Sequence, residues 1–470
     1  MILQNATKIH CIGIKGAGMT AFAEVLVKKG MRVTGSDTSE VFFTDEVLQK
    51  TGIVPINGFA MENIPDDTDI VIYSTAYNQE TNIELQAAFS SGVAILSYPE
   101  ALGELMKEKM GLAVCGTHGK TTTAALLAEV LRAVGEDPLA IVGSKILQWG
   151  GNALSGNGKY FVLEADEYQN KLQYYFPFGA IMTSVDFDHP DFFPDFEAYK
   201  KVFADFIQKI PHHGVLVSWG DSASVADIAA GAHSQKLSYG FLKENDFQII
   251  NYSPAVSFVP GSESSASKQT FEIVYDGESL GAFALQLAGK HNALNAAAVI
   301  ALCVHLKLDI EKVREGLRNF AGTARRFEYI GEYNGATLYD DYAHHPEEIK
   351  VTLKAFRDLY PHRRLVAIFH PHTFTRTKAL LPEFAQSFDD ANSVYILDIY
   401  GSAREKQGGV SSQEIVDLVN TYSRGKAVHI ATVADAIIEL KEKIAPGDVV
   451  ITLGAGNVWE VVHALMKDSQ

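Results

Sequence analysis

The sequence predicts an α/β fold with parallel sheets, and two patterns carry that expectation. Apolar runs of strand length alternate with amphipathic stretches through most of the chain. Most of these runs lead into Gly, Ser, Asp, Glu or His, and doubly wound folds bind ligands at the carboxyl ends of their strands. The 470 residues amount to about three domains, at roughly 150 residues each.

Taken in order, the first block (residues 1–108) opens with the run Ile9–Ile14 and a Gly-rich turn, and has a further run at Ile70–Tyr73. A second block (109–323) begins with Leu112–Cys115. The helix expected after it places Leu126, Leu127, Val130 and Leu131 at helical spacing, with Gly135 to stop it. Phe161–Leu163 and Ile181–Val185 follow as buried strands. The block then turns β-rich, with alternating runs at Val215–Trp219, Phe247–Tyr252, Thr270–Tyr275 and Phe283–Leu287, and Pro260–Lys268 reads as an exposed loop. A third block (324–470) returns to α/β alternation, with strands at Leu365–Phe369, Val394–Leu397 and Val449–Leu453.

Composition narrows the function. The chain is 47% hydrophobic and 21% charged, ordinary values for a globular protein. A formal charge of −17 argues against a nucleic-acid binder or a partner for anionic membranes. Cys11, Cys115 and Cys303 form no CxxC pair, so neither a disulfide framework nor a structural zinc site is expected. Met1–His10 lacks the pattern of a signal peptide, and no apolar run reaches the ~18 residues of a membrane span. The expectation is a cytoplasmic protein.

The strongest motif is Gly116-Thr117-His118-Gly119-Lys120-Thr121-Thr122, set between a buried strand and a helix. Such a loop turns backbone N–H groups toward one point, and the helix dipole adds positive potential. Lysine reaches the terminal phosphates and the first threonine hydroxyl suits Mg²⁺. The bland alternative is a Gly-rich turn with an incidental lysine. Two acidic strand ends follow, Glu164-Ala165-Asp166-Glu167 and Asp186-Phe187-Asp188-His189. If their strands neighbour the phosphate loop, hard oxygens and one imidazole converge on the nucleotide; if not, they are solvated surface.

In the first block, Gly13-Ile14-Lys15-Gly16-Ala17-Gly18 has GxxGxG spacing, a weak dinucleotide signal but a reasonable seat for a pyrophosphate on backbone amides. Gly16, Ala17, Gly18 and Met19, with Asp37 and Ser74 after the next strands, are its expected substrate contacts. The alternative is a turn that needs glycine for packing. In the third block, Asp340-Asp341-Tyr342-Ala343-His344-His345-Pro346 leads into a helix, and His370-Pro371-His372-Thr373-Phe374-Thr375-Arg376-Thr377 follows a strand. The histidines lack HExxH spacing, so substrate binding through His and Arg is favoured over zinc.

These motifs, with Gly289-Lys290-His291-Asn292-Ala293-Leu294-Asn295-Ala296 and Thr323-Ala324-Arg325-Arg326-Phe327, occur in one order that resembles the Mur ligases of peptidoglycan synthesis, end to end. The resemblance implies an N-terminal Rossmann-like domain for a UDP-sugar, a central P-loop ATPase-type domain with a β-rich portion, and a C-terminal Rossmann-like domain for an amino acid. It implies ATP and Mg²⁺ as cofactors, with UDP-N-acetylmuramate and L-alanine joined through an acyl phosphate, in a monomer or homodimer. Lys120 should grip the β/γ-phosphates, Thr121 and Glu164 one Mg²⁺, and His189 a second. Asn292 and Asn295 match groups that meet the adenine, while Arg326 and Asp341 match groups on the phosphates and ribose. Tyr342, His344, His345 and Arg376 lie where the family builds its amino-acid site. Lys120, Glu164, His189, Arg326 and His344 form the expected catalytic set.

The chain departs from this pattern in places. Alanine-adding members usually read EADESD, PHRYTRT and a GH pair in the first domain, whereas this chain reads Glu164-Ala165-Asp166-Glu167-Tyr168, Pro371-His372-Thr373-Phe374-Thr375-Arg376-Thr377 and Gly58-Phe59. EADEY is more like the branch that recycles the murein tripeptide L-Ala-γ-D-Glu-diaminopimelate, which is the alternative acceptor. A nicotinamide oxidoreductase leaves the GKT loop idle, and a nucleotide switch leaves the His/Arg-rich third block idle.

Overall fold

Three separate sheets organise the computed structural model, which describes residues 3–40, 42–255, 268–401 and 407–468. The first has five parallel strands in the order Ile56–Asn57, Arg32–Asp37, Lys8–Ile12, Ile70–Tyr73, Ala94–Ser97. The third has six, and only its edge strand Glu328–Tyr333 runs antiparallel to its neighbour Ala336–Asp341. Strands such as Leu365–Phe369 and Val449–Leu453 are buried at every residue, as expected where helices cover both faces of a parallel sheet. Each fully buried side chain of this kind contributes about 1.5–3 kcal/mol.

The middle sheet has ten strands and sets the site. Its centre is Met110–Cys115, flanked by Tyr160–Glu164 on one side and Gly179–Met182 on the other, all parallel. The β-rich stretch forms no separate layer. Val215–Trp219, Gln235–Gly240 and Phe247–Ser253 extend the same sheet in parallel, and Gln269–Tyr275 and Glu278–Leu285 close it as antiparallel strands. Most of Pro260–Lys268 lies outside the described residues. Its last residue, Lys268, is buried rather than exposed, because it leads directly into the strand Gln269–Tyr275.

At two ligand-facing turns the strand stops earlier than its apolar run. Ile9–Ile14 ends at Ile12, because Gly13 takes φ 84° and the N–H groups of Gly13 and Ile14 both donate to Ser36 O. Ile181–Val185 ends at Met182: Thr183 N still donates to Cys115 O of the neighbouring strand at 3.0 Å, but the Thr183 hydroxyl and Ser184 turn to the phosphate loop, where Ser184 O accepts from Thr117 N at 2.9 Å. In both cases backbone hydrogen bonding, which hydropathy does not report, ends the strand at the functional edge.

Candidate active site

The strand order brings the phosphate loop between the two acidic strand ends. Gly116 has φ 131°, and a Cβ there would run into the Thr183 hydroxyl. Gly119, in the left-handed region at φ 78°, starts the helix Lys120–Ala133, and a Cβ there would lie 2.8 Å from Asn295 Oδ1. The first-turn N–H groups of a helix have no partner within it, so this terminus is built to receive an anion. Lys120 Nζ donates to Thr117 O at 3.1 Å and to the buried Glu167 Oε2 at 2.9 Å. Burial alone would lower the ammonium pKa, but Glu167 and Asp166 outweigh it and raise it. The cation is therefore permanent, with a carboxylate standing where an anionic substrate group would bind.

Two groups of hard ligands flank the loop. Thr121 Oγ1 donates to Glu164 Oε1 at 2.7 Å, and the other oxygen of Glu164 accepts from Gly143 N. On the far side, Asp166, Glu167 and His189 offer ligand atoms all within 4.8 Å of one another. His189 takes φ 55°, a strained backbone for its type, and its ring stacks on Tyr168 at 4.5 Å. Carboxylates, a hydroxyl and one imidazole suit Mg²⁺.

A cavity of about 250 Å³ continues from the loop. From the central domain, Trp219, Tyr239, His291, Asn292 and Asn295 line it, and from the third, Arg326, Phe327, Asp341 and Glu348. Asn292 Nδ2 donates to Ala288 O at 2.7 Å, and Asn292 Oδ1 accepts from Asn295 Nδ2 at 3.2 Å. Asp341 accepts backbone N–H bonds from Phe327 and Ala343, yet burial still pushes its pKa to about 6 against the pull of Arg326. The linker between the domains is strained, since Arg325 (φ 58°) and Phe327 (φ 52°) are both left-handed. That conformation turns Arg326 toward the cavity, where its guanidinium lies 5.1 Å from the centre of the Tyr342 ring.

Glu348 ties these parts together, and sequence reading missed it. Its Oε1 lies 3.2 Å from His118 Nδ1 and 3.8 Å from Arg326 Nη1, and its Oε2 accepts from His344 N at 3.0 Å. Glu in the first turn of a helix after Pro reads as a cap, which it also is. The only further signal was its burial-prone position on the face of Ile349 and Thr352.

His344 Nδ1 sits 3.0 Å from Tyr342 O and 3.3 Å from Glu348 Oε2, so the proton belongs on Nδ1 and Nε2 is left as an acceptor. Burial drives its pKa down to about 3, so it is neutral at pH 7. Two further residues expected to bind substrate have other partners. His345 caps its helix, accepting from Glu347 N at 3.3 Å, and its other nitrogen donates to Phe187 O at 3.3 Å. Arg376 forms a buried pair with Asp188 of the central domain.

In the first domain, Gly16 precedes the helix Ala17–Lys28, so Ala17, Gly18 and Met19 supply its unpartnered first-turn N–H groups. The Met19 side chain is buried in the core, so what it offers at this turn is its backbone N–H. Gly18 is needed for packing, since a Cβ would strike the Tyr98 hydroxyl. Asp37 accepts from Lys15 N at 2.7 Å and from Tyr77 OH at 3.0 Å, and Ser74 Oγ accepts from Ala76 N at 3.2 Å. Asn152 Nδ2 of the central domain donates to Ala17 O at 2.8 Å, linking this turn to the central sheet.

Comparison with known proteins agrees with this architecture. Residues 8–110 match the Mur ligase family catalytic domain, 114–303 the Mur ligase middle domain, and 325–456 the Mur ligase glutamate ligase domain. The UDP-N-acetylmuramate–L-alanine ligase of Desulfitobacterium hafniense is 42% identical over 97% of this chain and 99% of its own. The enzyme of the same name from Caldanaerobacter subterraneus is 39% identical over 100% and 99%. Among solved structures, the UDP-N-acetylmuramate–alanine ligase of Thermotoga maritima superposes with a TM-score of 0.81 at 25% identity, covering 98% of this chain and 99% of that one. A murein peptide ligase from Psychrobacter arcticus shares the fold, with a TM-score of 0.73 at 24% identity over 98% of each chain. With all three of its domains matched and full-length relatives above 30% identity, the chain belongs to the Mur ligase family.

Proposed function

We infer that the chain is an ATP-dependent ligase that joins L-alanine to the carboxylate of UDP-N-acetylmuramate through an acyl phosphate, making a peptidoglycan precursor in the cytoplasm. The observation that carries this reading is the strand order, which sets a GKT loop between two acidic strand ends and opposite Arg326 and Glu348 of the third domain. Relatives of that name over the full length support the same substrates. No described helix is long and apolar enough to cross a membrane.

The residues divide the work. Lys120 exchanges Glu167 for the terminal phosphates of the nucleotide, and the N-terminus of its helix receives the remaining charge. Thr121 with Glu164, and His189 with Asp166 and Glu167, would each hold a Mg²⁺, which supplies charge neutralisation. Asn292 and Asn295 line the base pocket, while Arg326 and Asp341 close it from the third domain. Amide formation of this kind depends on positioning and charge stabilisation, so no protein nucleophile is required. His344, neutral and with Nε2 as acceptor, is suited to orient an amine N–H, and Arg376 to hold an α-carboxylate.

A panel of L-alanine, glycine, L-serine and the murein tripeptide, offered with UDP-N-acetylmuramate and scored by phosphate release, tests the reading. L-Alanine should give the highest kcat/KM, and preference for the tripeptide would overturn the assignment. Metal placement is tested by Glu164→Gln, which keeps the shape but removes a charged ligand. The Mg²⁺ concentration for half-maximal rate should rise on the order of tenfold or more, with UDP-sugar affinity nearly unchanged. Loss of sugar binding without a Mg²⁺ shift would show that Glu164 serves the sugar.

A further inference from the structure

The segment 370–377 holds one guanidinium, that of Arg376. That guanidinium is already engaged. Its Nε donates to Asp188 Oδ1 at 2.9 Å and its Nη2 to Asp188 Oδ2 at 3.3 Å, across the boundary between the third and central domains. Both side chains are only 7% exposed. Nη1 donates to His372 O at 3.4 Å. Of the five N–H groups of an arginine, one on each Nη then has no partner among the described residues, and a pair of Nη N–H groups can take a carboxylate in a bidentate fork.

Asp188 is itself fixed. Its Oδ1 accepts from the N–H of His189, whose φ of 55° holds the tight turn, and its neighbour Phe187 offers its carbonyl to His345 of the third domain. The two-point contact between buried side chains fixes which edge of Arg376 the Asp188 carboxylate occupies.

We infer that Asp188 is a positioning residue for the acceptor: it grips one edge of Arg376, so that the other edge meets the acceptor carboxylate only when the third domain is closed on the central one. This rests on the assignment of Arg376 to the acceptor. Arginine has two usable edges and lysine has none, so the arrangement requires arginine even though the charge alone does not. It also makes the acceptor seat a property of two domains: a molecule open at this boundary has the residues but not the site.

A double-mutant cycle tests this with Asp188→Asn, Arg376→Ala and the pair, measured on the full-length enzyme. Asp188→Asn should lower kcat/KM for L-alanine on the order of tenfold or more, mainly through KM, while the ATP KM and the Mg²⁺ requirement stay within about twofold. In the Arg376→Ala background the same change should cost nothing further. Arg376→Lys, which keeps the buried charge and so the fold, should reproduce the KM defect. Additive losses, or a defect in Mg²⁺ requirement instead of acceptor KM, would overturn the inference and make Asp188 an accessory of the metal site. If the wild type ignores L-alanine, the proposed function fails by itself, and the cycle is read on the KM of the acceptor that is used.

Discussion

Lys120→Ala should lose on the order of 10³-fold or more in kcat, because charge stabilisation by a preorganised ammonium grows as the phosphoryl group transfers. The structure adds a second consequence. Lys120 neutralises Glu167, whose side chain is 1% exposed and whose other oxygen accepts from Tyr199 OH at 3.0 Å. Removing one partner of a buried pair costs about 3–5 kcal/mol, since the remaining charge is stranded. The single variant should therefore also melt at lower temperature. Lys120→Ala combined with Glu167→Gln should recover much of that stability and none of the turnover, separating chemistry from folding. Retention of a tenth of wild-type kcat by the single variant would remove Lys120 from the mechanism.

Much of this site was legible because its signals are local. A strand, a Gly-rich turn, a lysine and a helix are contiguous from Met110 to Ala133, so both their spacing and their chemistry show in the sequence. The acidic ends at Glu164 and His189 were conditional on strand adjacency, which no local pattern encodes; the sheet order resolved it. Pairings across domains were out of reach. Glu348 meets His118, 230 positions away, and Arg376 meets Asp188, 188 positions away. In each case the chain reads as a helix cap or a ligand cation until the fold supplies its partner. Met19 shows the division of labour within one residue: its apolar side chain belongs to the core, while its N–H lies in the first turn of the helix after the Gly-rich segment.

Glu348 gives the other large effect. One carboxylate serves His118 of the phosphate loop, Arg326 of the linker and the His344 backbone, so it joins the third domain to the nucleotide end. Glu348→Ala strands Arg326 without its nearest carboxylate, at about 3–5 kcal/mol. Most of that falls on the closed arrangement, so the closed fraction and kcat/KM for ATP should drop roughly 10²–10³-fold. Scattering with an ATP analogue and UDP-sugar should show compaction in the wild type and little in the variant. Glu348→Gln can still accept the backbone N–H groups that cap the helix, so it isolates the charge; activity above half of wild type in that variant would show that only the cap matters. The tie also has a pH signature. The pKa of Glu348 is held well below its ordinary value: burial opposes this, but the hydrogen bond and charge of His118 and the charge of Arg326 prevail. Its contribution is therefore present above the unfolded carboxyl pKa of about 4.3 and lost as pH falls through the folded one. His118 is raised, since Glu348 and Asp186 outweigh the burial that would lower it. Its contribution is complete below the unfolded value of about 6.5 and is lost as pH rises through the folded value. The tie is strongest between those limits, so the difference in melting temperature between wild type and Glu348→Ala should be larger at pH 6 than at pH 9. An equal difference at both values would mean that His118 carries no charge in the tie.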